Sequence, residues 1–134
     1  MVSRQILAKH SPQTIFSSAA RAEATYNSDE LGNSGASGIR VYIDVTGESG
    51  TATLDVKLQQ RDPISSDYID ITGAAIAQLS AVTTGPIMLT LHPELTASSN
   101  VIVKDLLPSL FRVVAVVGGS SVTMTFSIAI ERFD

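Results

Sequence analysis

From Ile39 to Val45, and again from Val122 to Ile130, every second residue carries a large apolar side chain. Ile39, Val41, Ile43 and Val45 alternate with Arg40, Tyr42 and Asp44; Val122, Met124, Phe126, Ile128 and Ile130 alternate with Thr123, Thr125, Ser127 and Ala129. A period of two puts one set of side chains on each face of a strand, so these runs demand a half-buried sheet. Leu54, Val56 and Leu58 repeat the pattern against Asp55, Lys57 and Gln59, as do Ile87, Leu89 and Leu91, and Phe111, Val113, Ala115 and Val117. "GESGT" between the first two runs predicts an antiparallel hairpin. "GGSS" predicts a second one, Phe111 to Ile130, with Gly118 and Gly119 supplying positive φ at its turn. "RDPISSDY" reads as a turn held by Asp62 and Pro63, followed by a short strand from Tyr68 to Thr72. Residues 73–85 suit either a strand pair or one helical turn, and Val101 and Val103 flank a short extended piece. Seven or eight strands, no long helix and no fixed repeat predict an all-β fold, an antiparallel β-sandwich or jelly-roll-like barrel.

Residues 1–38 differ in kind. "SPQTIFSSAARAEATYNSDELGNSGASG" mixes Ser, Ala and Asn with few large apolar side chains and ends on glycines. Such a segment buries too little apolar surface to offset its own ordering entropy. It reads as an extended N-terminal arm on a sandwich domain spanning 39–134. Thr14 to Ser18 can form a strand against a sheet from the body or from a neighbouring subunit; Ser18 to Thr25, rich in Ala, can alternatively form a helix. Removing residues 1–30 is expected to leave the body folded. Val114 and Val116 make their strand apolar on both faces, so the arm or another chain should cover them. The side chains expected to make contacts with other molecules are Ile15, Phe16, Arg21 and Tyr26 on the arm, with Val114 and Val116 on the body.

The 134 residues are 44% hydrophobic and 16% charged, with a formal net charge of -4. That length suits one core. The acidic balance gives no reason to bind a polyphosphate, whose affinity rests on clustered Lys and Arg, so nucleic acid is not an expected partner. Without cysteine there is no disulfide, thiolate metal site or cysteine nucleophile. Val113 to Val117, the longest apolar stretch, falls far short of the roughly twenty residues of a membrane-spanning helix. Near the start, Ile6 to Ala8 is too short for the core of a secretory signal, which points to synthesis in a cytoplasm and no membrane partner.

Residues that could carry chemistry are few. His10 and His92 stand at no motif spacing from a nucleophile and read as ordinary surface or loop histidines. Asp62, Asp67 and Asp70 could offer hard oxygen ligands to calcium, but turns attract aspartate for backbone reasons alone. Asp44 and Asp55 could face each other across the first hairpin like a glycosidase pair; as outward residues near Lys57 and Arg40 they read instead as a solvated face. "VGGSSV" lacks the lysine and helix of a phosphate loop. Tyr26, Tyr42 and Tyr68 are the possible sugar platforms. No enzyme activity and no cofactor are expected.

The segments "IRVYIDVTGESGTATLDVKLQQRDPISSDYIDI" and "LHPELTASSNVIVKDLLPSLFRVVAVVGGSSVTMTFSIAI" resemble a group of small all-β structural proteins of tailed bacteriophages. There a "VxLDV" strand leads to "LxVxLQxxDP", a "PGLT" loop, a "DxLP" turn and a final "RVVxxxGG...FSxxI" hairpin. The matching pieces are Val41 to Val45, Leu54 to Pro63, Pro93 to Thr96, Asp105 to Pro108 and Arg112 to Ile130, within residues 39–130. Phe111 stands where the aromatic is often Trp, and Glu94 replaces the loop's small residue. The resemblance implies a virion component on the outer surface of the head: a decoration or cement protein that bridges capsomers. Its partners would be the major capsid protein and copies of itself, most plausibly as a trimer. A tail- or fibre-borne module that binds a receptor or glycan is the alternative.

Overall fold

The computed structural model describes residues 11–79, 86–94 and 102–134, and these contain ten strands and no helix. In chain order they are β1 (Gln13–Ala22), β2 (Ala24–Asn27), β3 (Leu31–Gly32), β4 (Gly38–Ser49), β5 (Thr53–Arg61), β6 (Tyr68–Leu79), β7 (Ile87–Leu91), β8 (Ile102–Val103), β9 (Leu110–Gly118) and β10 (Thr123–Phe133). One sheet runs β1-β10-β4-β7-β8; the other runs β2-β9-β5-β6, with β3 also on β9. All pairs are antiparallel except β7 with β8. The two sheets enclose one core, a β-sandwich.

The inward residues are those the alternation marks. Ile39, Val41 and Ile43 on β4, Leu54, Val56 and Leu58 on β5, Leu89 and Leu91 on β7, and Met124, Phe126, Ile128 and Ile130 on β10 are sealed from solvent. So are Phe111, Val113 and Ala115 on β9. Each large side chain so buried contributes about 1.5–3 kcal/mol relative to exposure.

The pairing, however, differs from the expected hairpins. β4 lies between β10 and β7 in the first sheet, whereas β5 lies between β9 and β6 in the second. "GESGT" is therefore an arch between sheets. β9 and β10 are likewise split between the sheets, and "GGSS" spans the gap, with Gly119 at φ 131° and Ser121 at φ 53°. Two strands that send alternate side chains into one core present the same sequence pattern whether they lie side by side or face to face. Only β5–β6 among the long runs is a true hairpin, and β6 extends to Leu79, well past Thr72. Residues 73–79 are thus strand; residues 80–85 lie outside the described residues.

In the N-terminal segment, Thr14 to Ser18 is strand against a sheet of the body, one of the expected alternatives, and the pairing runs further than expected. β1 pairs with β10 along the edge of the first sheet, and β2 and β3 pair with β9 along the edge of the second. Ser18 to Thr25 is not helix but the end of β1 and the start of β2, parted by a bend at Glu23. The body offers two open edges, and unpaired backbone groups there recruit the nearest extended chain. Residues 11–38 therefore complete the sandwich; residues 1–10 lie outside the described residues.

Candidate interaction surfaces

Of the side chains expected at contacts, the structure gathers Phe16, Arg21 and Tyr26 on the seam where β1 passes to β2. Phe16 meets the buried Phe126 ring edge-on, with centroids 6.3 Å apart. The Arg21 guanidinium lies 4.6 Å from the centre of Phe126, 5.5 Å from Phe16 and 6.0 Å from Tyr26. It also donates to the carbonyls of Phe126 (3.0 Å), Ala19 (3.2 Å) and Ser17 (2.8 Å). The register of β1 against β10 slips between Phe16 and Ala19, so carbonyls there lose their regular ladder partners. Arg21 replaces those partners and locks the bulged strand down. Tyr26 Oη donates to the Ala22 carbonyl at 2.7 Å.

The remaining expected contact residues lie apart from this seam. Ile15 is half-buried against the core and forms part of the wall of a cleft of about 250 Å³ between the start of β1 and residues 28–31. On β9, Val114 is buried and Val116 half-buried. Their register partners are Asn27 and Thr25 on β2, with Lys57 and Asp55 on β5, so the arm supplies one flank of these valines.

A second surface, which the sequence did not single out, lies on the outer face of β9, β5 and β6. Arg112 sits 3.9 Å over the Tyr68 ring and donates through Nε to Gln59 Oε1 at 2.8 Å. Gln59 in turn donates to Asp70 Oδ1 at 2.7 Å, and Lys57 Nζ lies 2.9 Å from the same carboxylate oxygen. These donors, Gln59 ahead of Lys57, hold the Asp70 carboxyl below the usual carboxylate range. At its end, Arg61 pairs with Glu30 at 3.0 Å and Tyr68 Oη donates to the same Glu30 oxygen at 3.4 Å. Period-two spacing puts Lys57, Gln59 and Arg61 on one face; their partners on Tyr68, Asp70 and Arg112 become visible only once β5 is known to lie between β6 and β9.

The candidate chemical groups do not converge. Asp44 and Asp55 stand on different sheets, which removes the glycosidase-like pairing. Asp55 accepts the Gln78 backbone N–H, and Lys57 pairs with Asp70. Asp62 Oδ1 accepts the N–H groups of Ile64 (2.8 Å) and Ser65 (3.3 Å), which lower its pKa, while Asp70 serves the network above. No group of three or more His, Asp or Glu among the described residues is placed to share a metal ion. His92 is no surface residue: it is 7% exposed, stacks 4.9 Å from Phe133 at an interplanar angle of 10°, and accepts the Glu94 N–H at Nδ1. His10 lies outside the described residues. Gly38 makes this packing possible, since a Cβ there would stand 2.6 Å from both His92 Cδ2 and the Leu91 carbonyl oxygen.

Neither a search of protein-family models nor one of curated proteins returned a match to this chain.

Proposed function

We propose that the chain is a structural component of a tailed-phage virion, a decoration protein of the head that bridges neighbouring capsomers as a homo-oligomer, with a trimer favoured. The observation that carries this reading is the strand order. Read without the short β3 and β8, β1-β10-β4-β7 against β2-β9-β5-β6 follows the winding of a jelly roll, two interlocked Greek keys, an architecture shared by viral shell proteins and lectins. In that winding the N-terminal segment supplies the first two strands.

The edge of the first sheet supports bridging. β1 ends that sheet; its exposed positions are all uncharged, and beyond Gln13 and Thr14 they are the small residues Ser17, Ser18, Ala19, Ala20 and Ala22. Such an edge can take a strand from an adjacent molecule where its backbone is regular, on either side of the slip that Arg21 covers. Binding only to an assembled shell would stabilise it by mass action. The resemblance of residues 39–130 to phage structural proteins points the same way.

The test is co-sedimentation of the purified chain with shells of the encoding phage that lack it, alongside sedimentation equilibrium of the chain alone. Saturable binding at symmetry-related positions and a defined oligomer are expected. Attachment to tails, or a glycan-array signal without shell binding, would transfer the protein to the tail or fibre.

A further inference from the structure

Four large apolar side chains are strongly exposed among the described residues, and three of them share one end of the sandwich: Ile64 (91% exposed), Leu106 (59%) and Ile69 (50%). Gln60 on β5 pairs with Phe111 on β9 and with Ile69 on β6. Ile64, four residues beyond Gln60, and Leu106, five before Phe111, therefore rise from loops rooted on adjacent strands about 4.8 Å apart.

Both loops are rigidly organised. In the first, the Asp62 carboxylate caps two backbone N–H groups, Asp62 N–H donates to the Asp67 carbonyl at 2.7 Å and Ser66 N–H to the Asp62 carbonyl at 2.9 Å. Arg61 braces Ser66 Oγ at 2.8 Å and Pro63 fixes φ beside Ile64. In the second, Asp105 Oδ1 accepts the Leu106 N–H at 2.8 Å, and the Leu107 N–H reaches the Ser37 carbonyl at 3.0 Å. Buried Leu107 anchors that turn while Leu106 points outward. Each loop thus holds an aliphatic side chain in water on a backbone already fixed by an aspartate, an arrangement that lowers the ordering cost of docking.

Resting on the shell-binding reading above, we infer that Ile64 and Leu106 are paired anchors that seat in apolar sockets of a different protein, rimmed by cations, on the shell surface. Charge selects that occupant. Asp62, Asp67 and Asp105 flank the two side chains, against Lys104 and an Arg61 already paired with Glu30. An anionic bilayer surface would be repelled, and the same end of a second copy would set like charges together.

The experiment compares wild type, Ile64→Ser, Leu106→Ser and the double variant for binding to undecorated shells, with Met88→Ser as control. Met88 is 43% exposed, but on the outer face of the first sheet. Each single change is expected to weaken binding about tenfold and the double about a hundredfold, with melting temperatures unchanged and Met88→Ser neutral. Wild-type affinity in the double variant overturns the anchors and leaves the shell reading standing; so does equal weakening by Met88→Ser. Failure of wild type itself to bind shells overturns both. Co-flotation of wild type, but not the double variant, with phosphatidylserine-containing vesicles would make the loops a membrane device, and a self-association lost only in the double variant would make them a dimer contact. Either result refutes the inference.

Discussion

Arg21 shows how one side chain decides whether the N-terminal segment belongs to the sandwich. It contacts three rings and three carbonyls at the point where the backbone of β1 slips register. Arg21→Ala should cost about 1–2 kcal/mol by denaturant unfolding, and lysine should not restore it, because an ammonium cannot lie flat on a ring while serving diverging acceptors. Phe126, sealed in the core behind Phe16, should cost about 3–5 kcal/mol on truncation to alanine; an unchanged melting temperature would contradict its placement. Two exposed carboxylates contribute to acid sensitivity. Asp62 and Asp70 titrate below their usual value of 3.8, the first because backbone N–H groups favour its anion, the second through Gln59 and then Lys57. A depressed folded-state pKa contributes stability above the unfolded pKa and loses it as pH falls through the folded value. Melting temperature should therefore hold steady from neutrality down to about pH 5, drop below about pH 4, and drop less steeply in Asp62→Asn and Asp70→Asn.

At the level of strands, the sequence disclosed which residues face the core far better than which strands touch. Ile39 to Val45, Leu54 to Leu58 and Phe111 to Val117 lie where alternation puts them. Their partners differ from the hairpins that "GESGT" and "GGSS" predict, because glycine-rich turns close a hairpin and an inter-sheet arch with the same chemistry. Residues 13–27 were underestimated for a different reason. Their side chains are mostly small, and the stabilisation comes from ladder bonds to β10 and β9 and from Arg21 joining the local Phe16 and Tyr26 rings to the distant Phe126, partners that the segment itself does not encode. The Arg112–Gln59–Asp70 chain was illegible because it joins residues 53 and 11 positions apart. Deletion of residues 1–30 is accordingly expected to lower the melting temperature by roughly 10 °C or more and to promote aggregation through bared β10 and β9 edges, measurable by calorimetry and light scattering. An unaltered transition would restore the picture of a dispensable arm.

For the molecule as a whole, the proposed role would divide the labour among surfaces, with the β1 edge turned to lateral neighbours and the acid-flanked Ile64 and Leu106 end to the shell, while the polar face of β9, β5 and β6 holds itself together. The same order also fixes when the fold can exist. β10, the last strand among the described residues, lies between β1 and β4 inside the first sheet. Until β10 has been made, β1 has no strand to pair with and β4 lacks one of its two neighbours, and most contacts join parts of the chain far apart in sequence. Closure of the first sheet therefore waits for a strand made about a hundred residues after the one it joins, and folding is expected on the scale of about milliseconds to seconds, the regime of topologies dominated by remote pairing.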